Sequence, residues 1–134
     1  ANMFTGLSAE RDGYMHKASL QMNYSAVTAA CLMVQTSVFH EVGGLTEELT
    51  VAFNDVDFCL KVRRAGYLVV YNPAVKAYHY ESKSRGAEDT PEKIARFERE
   101  IAYMKEHWPQ ILADGDPYYN RCLTLTKTNY CLRV

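Results

Sequence analysis

The chain has 134 residues, 48% hydrophobic and 23% charged, with a formal net charge of -1. That composition fits a globular domain able to bury roughly two-thirds of its unfolded surface. It excludes the basic stripe of a nucleic-acid binder, and the longest apolar run, Ala26 to Val34, is too short to cross a bilayer.

Residues 1–23 are polar, with Gly6 and Gly13 as punctuation, and read as irregular chain. Ala26 to Val34 is a run of small and β-branched residues, which predicts a buried strand. Thr36 to Val42 has helical spacing and stops at Gly43-Gly44, because glycine accepts the left-handed conformation at a helix end. A second helix is expected from Asn54 to Ala65. Asn54 or Asp55 suits its cap, Phe58 and Val62 share a face, and Lys61, Arg63 and Arg64 favour its negative end.

Tyr67 to Tyr71 reads as a strand, Asn72-Pro73 as a turn, and Val75 to Tyr80 as a further extended segment. Ser82 to Asp89 is polar loop. Thr90-Pro91 opens the clearest helix: threonine caps, and proline fits a first turn whose N–H would be unpaired anyway. Ile94, Phe97, Ile101, Met104 and Trp108 follow at three- and four-residue steps as one apolar stripe, a core or docking face. From Asp114 onward the tail is expected to wrap the body as irregular structure.

Four cysteines, Cys31, Cys59, Cys122 and Cys131, form no Cys-x-x-Cys pair and have no histidine at zinc-finger spacing. They are expected to be reduced and buried, in a cytoplasmic protein with no leader pattern. Strands alternating with helices predict an α/β class, residues 1–134 forming a single domain. No strand followed by a nucleotide-cradling glycine loop opens the chain. The few strands flanked by helices are therefore expected to be part of a larger sheet protein whose amino-terminal nucleotide-binding half is missing.

Asp55 and Asp57 stand at the start of the second expected helix, within Phe53-Asn54-Asp55-Val56-Asp57-Phe58. Carboxylates are common there as caps, so structure and chemistry are both open readings. His79 stands between tyrosines, where a lone histidine is more often a hydrogen-bonded core residue than a ligand. Arg85 lies in a polar loop, where a solvated charge is the plain alternative to a ligand contact.

Asn23 to Val34 (NYSAVTAACLMV) resembles a segment of glycosyltransferase family 2, the rhamnosyltransferase-like enzymes of bacterial surface polysaccharides. The resemblance continues through Phe39 to Leu45, Val51 to Lys61, Arg64 to Tyr67, Tyr78 to Gly86, Glu88 to Lys93 and Asp116 to Asn120. It implies the carboxy-terminal, acceptor-side portion of a GT-A fold and an inverting single displacement. Asp55 would be the catalytic base, with Asn54 and Asp57 on the acceptor. His79 matches a metal-coordinating histidine; separately from the resemblance, Arg85 in the Lys83-Ser84-Arg85-Gly86 loop is expected to close over the donor diphosphate.

The implied cofactor is a divalent manganese or magnesium ion. The implied partners are a nucleotide-sugar donor, a glycan acceptor and the amino-terminal half, with peripheral membrane association of the full protein and no nucleic acid. Asp55-Val56-Asp57 and Asp114-Gly115-Asp116 both spell the Asp-x-Asp of such folds, yet neither stands where the donor motif belongs. Two other expectations remain open: a non-catalytic interaction module of the same architecture, and a small metal-dependent hydrolase using Asp55, Asp57 and His79.

Overall fold

The computed structural model describes residues 4, 6–78, 90–127 and 130–133. Its order is β1 (Met22–Asn23), α1 (Thr36–Glu41), α2 (Asn54–Arg64), β2 (Val70–Tyr71), α3 (Pro91–His107) and α4 (Pro109–Asp114), with 3-10 turns at Tyr14–His16 and Ala29–Cys31. The strands pair antiparallel, Met22 opposite Tyr71 and Asn23 opposite Val70. Helices around a two-stranded sheet are compatible with the expected α/β class.

Helix α2 is the centre of the packing. Phe58, Cys59 and Val62 join Val38 and Val69 in one cluster, with Phe39 and Val42 against it. Leu60 points the other way, to Leu49 and Met104, with Phe53, Tyr103, Trp108 and Ile111 around them. Apolar side chains on two sides of a short helix anchor it far better than propensity alone.

The expected strand over Ala26 to Val34 is not formed. The segment is a loop around the Ala29–Cys31 turn, and Cys31 is exposed. Side chains take the backbone donors that a strand would have offered to a ladder: Thr28 Oγ1 accepts from Ala30 N at 3.3 Å and Asp55 Oδ2 from Ala29 N at 3.2 Å. Apolar Ala26, Val27, Leu32 and Val34 still lean on the first cluster. The expectation for the cysteines also changes. Cys59 is buried, but Cys31 and Cys122 are exposed and Cys131 is intermediate; all four are free thiols.

The strand expected over Tyr67 to Tyr71 shortens to Val70–Tyr71. Tyr24 N donates to Val69 O at 2.9 Å and extends the pairing by one bond. Of the expected extended segment to Tyr80, residues 75–78 carry no strand, and the remainder lies outside the described residues.

Helix α3 starts as expected. Thr90 Oγ1 accepts from Lys93 N at 3.4 Å, and Pro91 occupies the first turn. Thr90→Ala should lower the stability of the chain by about 1 kcal/mol, read from the midpoint of urea denaturation. Trp108, with φ -128° and ψ 40°, breaks the helix, and Pro109 opens α4, an element absent from the sequence reading. The tail returns to the amino-terminal segment: Tyr130 is buried and stacks on Tyr14 with centroids 4.8 Å apart.

Candidate functional site

The Asn54-Asp55 pair sits in the first turn of α2, entered through an unusual backbone. Phe53 has φ 65° and ψ 0°, a left-handed conformation that is costly for a bulky side chain and persists where the surroundings over-determine it. Its ring stacks on Phe97 of α3, centroids 5.6 Å apart. Its carbonyl accepts from Asp57 N at 2.8 Å, so the left-handed residue begins the helical ladder. The expected cap, Asn54 or Asp55, therefore lies one or two residues inside the helix. Their side chains serve first-turn amides from there: Asn54 Oδ1 accepts from Asp55 N at 2.7 Å and Asp55 Oδ1 from Val56 N at 2.9 Å.

Asp55 is partly exposed. Its Oδ1 holds Val56 N and its Oδ2 holds Ala29 N. A carboxylate has about four acceptor positions, so capacity remains for an incoming hydroxyl. One turn further, Cys59 Sγ donates to Val27 O at 3.7 Å and ties the same loop to α2. Burial pushes the Cys59 thiol up, the Val27 bond opposes this, and the charge of Asp55 adds to the rise. Asp55 is thus fixed by its own helix and by the Thr28–Cys31 turn that covers the helix end.

Asp57 is placed differently. It is 1% exposed, and both oxygens are occupied from inside. Oδ2 accepts from Thr46 Oγ1 at 2.6 Å and Lys61 Nζ at 3.2 Å, and Oδ1 accepts from Trp108 Nε1 at 2.8 Å. Burial raises its affinity for a proton, but the Thr46 and Trp108 bonds and the Lys61 charge outweigh that and hold the carboxyl below its ordinary value. In place of the expected acceptor contact, Asp57 locks α2 to the loop at Thr46 and to the α3–α4 corner.

His79 and Arg85, the expected metal and diphosphate residues, lie outside the described residues. Among the described residues no three His, Cys, Asp or Glu side chains converge as a metal site. The second Asp-x-Asp is structural: Asp116 Oδ1 accepts from Ser25 Oγ at 2.7 Å and from Tyr118 N at 2.9 Å. Arg63 Nη1 donates to Ser25 Oγ at 2.9 Å, and its guanidinium lies 5.3 Å from the Tyr118 ring centroid. Three separated sequence motifs meet in that polar joint, of which Ser25 is the buried member.

Beside it opens a groove of about 1090 Å³, with Arg63, Arg64, Trp108, Ile111, Tyr119 and Arg121 in its walls. Asp55 is not one of the groove's lining residues, so size alone does not lead to the carboxylate.

The sequence reading missed Glu100, which is 2% exposed. Its Oε1 accepts from Val51 N at 3.0 Å and Thr50 Oγ1 at 3.1 Å, and its Oε2 from Ala52 N at 3.0 Å. A signal was present. Glu100 stands three residues after Phe97 and four before Met104, a carboxylate within the apolar face.

The chain is 54% identical over 92% of its length to an uncharacterized protein, y4gI, of Sinorhizobium fredii. It is 36% identical over 83% of its length to the O-antigen biosynthesis protein RfbC of Myxococcus xanthus. It is 28% identical over 60% of its length to N-acetylglucosaminyl-diphospho-decaprenol L-rhamnosyltransferase of Mycobacterium tuberculosis. The chain matches only 14%, 8% and 26% of those three proteins, respectively. No family model and no solved structure matches. No described helix is long and apolar enough to cross a membrane. Across most of its length the chain is similar to short segments of larger proteins, one of them named for O-antigen biosynthesis and one named a rhamnosyltransferase.

Proposed function

We propose that this chain is the acceptor-side part of an inverting, family 2 glycosyltransferase of GT-A architecture, which moves a sugar from a nucleoside-diphosphate donor to a glycan of a bacterial surface polysaccharide. The observation that carries the reading is Asp55: a partly exposed carboxylate, held at the start of α2 by two amides and reached through a left-handed phenylalanine. The likeness to proteins named for O-antigen synthesis and rhamnosyl transfer supports the substrate class.

In this reading the acceptor hydroxyl gives its proton to a free position on Asp55 as its oxygen attacks the anomeric carbon. The bond from that carbon to the diphosphate oxygen breaks, and the electron pair leaves with the nucleoside diphosphate. Asn54 orients the acceptor, and Asp57 fixes the helix that carries Asp55. The described residues do not fit a divalent ion by themselves. A manganese or magnesium site belongs to the proposal only through His79 and the donor-binding part of the protein, and diphosphate contact only through Arg85. The same reading assigns the cytoplasm and the inner membrane face as the place of action.

The test is to incubate the intact protein with nucleoside-diphosphate sugars and a lipid-linked glycan acceptor, and to follow nucleoside diphosphate release together with the mass of the acceptor. Acceptor-dependent release, with one sugar added to the glycan, is expected for one donor. Release equal with and without acceptor, for every donor tried, refutes transfer.

A further inference from the structure

We propose that Glu100 is a positioning residue for the Asp55 motif: from α3 it grips the backbone that feeds Phe53 and so sets the direction in which Asn54 and Asp55 leave the loop. The inference rests on the reading of Asp55 as the base.

A carboxylate is costly to bury unless its acceptors are matched. At Glu100 the matching groups are two consecutive amides, Val51 N and Ala52 N, each 3.0 Å from its own oxygen, and the Thr50 hydroxyl at 3.1 Å. All three belong to the four residues before Asn54. Arg96 Nε lies 3.8 Å from Oε2 on the same helix. One helical turn before Glu100, the Phe97 ring stacks on Phe53. Helix α3 thus holds the loop at two points, by hydrogen bonds on residues 50–52 and by an aromatic face on residue 53.

The second grip is on Phe53 itself, whose backbone is left-handed at φ 65°, and only Asn54 stands between it and Asp55. A leucine or methionine at position 100 would fill the apolar face between Phe97 and Met104 without an ion to bury. What a carboxylate adds there is a fixed path for the backbone of the loop. Its amides need two acceptors side by side, which a carboxylate supplies and a carboxamide does not.

Glu100→Gln tests this, because it keeps shape and turns one of the two oxygens into a donor facing an N–H. Amide resonances of Ala29 and Val56, whose donors touch Asp55, are followed in the isotopically labelled chain. Turnover is measured in the intact protein. Expected are displaced Ala29 and Val56 signals and a fall in kcat of roughly 10²-fold, the size that misplacing a reacting group produces, with the KM for donor unchanged. Thr90→Ala, which weakens the same helix from its far end, should do neither. Should Glu100→Gln fail to fold, Phe97→Leu removes the stacking grip alone and is expected to move the same two amides by less.

Unmoved amides in either folded variant, or an equal loss of kcat in Thr90→Ala, overturn the positioning role. Displaced amides in a protein that transfers no sugar leave Glu100 in its role and refute the transferase reading instead.

Discussion

Asp55→Asn is expected to lower glycosyl transfer by about 10²–10⁴-fold, the usual contribution of a positioned general base. That corresponds to roughly 3–5 kcal/mol of barrier. The side chain keeps its size, its carbonyl oxygen still accepts from Val56 N, and the amide of exposed Ala29 can turn to water, so the helix start changes little. What is lost is the ability to take a proton from the attacking hydroxyl. Because the site is partly exposed, the thermal midpoint should stay near that of the wild type, and the KM for donor should hold, since Asp55 faces the acceptor in this mechanism. The measurement is kcat and KM for both substrates, with a melting curve on the same sample. Turnover within a few-fold of wild type would remove Asp55 from the chemistry, whatever its place in the fold.

The elements with strong punctuation were legible in the sequence. Thr90-Pro91 and the glycines after α1 fix their helix ends through local backbone chemistry, and the structure follows them closely. The Ala26 to Val34 run was misread because apolar composition says that a segment leans on a core and does not say with which backbone. Its donors are claimed by Thr28 and by Asp55, the latter 26 residues away in sequence, and no local pattern encodes such a partner. The cap of α2 failed for a related reason. A left-handed phenylalanine has no propensity to announce it; it exists because Phe97 and Glu100, on a helix nearly fifty residues later, hold its surroundings.

The two carboxylates of Asp55-Val56-Asp57 show the limit of carrying a site over from a resemblance. Residues two apart on a helix point about 200° apart around its axis, so only one of them can face the covering turn at Ala29. Asp55 does so, and Asp57 is turned inward to Trp108. The family resemblance implies that both serve the acceptor; helical geometry separates them.

That inward carboxylate carries the largest expected effect on stability. Asp57→Ala should destabilise the chain by about 3–5 kcal/mol, the usual loss when one member of a buried pair is removed. The lower end is expected, because the Lys61 side chain, 14% exposed, can still reach water. The Trp108 indole N–H and the Thr46 hydroxyl cannot both find new acceptors in the same packing, and each orphaned donor adds to the loss. Against a total of roughly 5–15 kcal/mol for a domain, this is a large fraction, readable as a shifted midpoint in urea. The pH dependence has a definite sign. The folded protein holds the Asp57 carboxyl below its ordinary value, so its stabilisation is complete above the unfolded value, near ~3.9, and is lost as pH falls through the lower folded value. Wild-type stability should therefore drop steeply below about pH 4, while Asp57→Asn, already weaker at neutral pH, should lose less over the same interval. Parallel acid slopes in the two proteins would mean that Asp57 is not the group whose protonation loosens α2 from the α3–α4 corner.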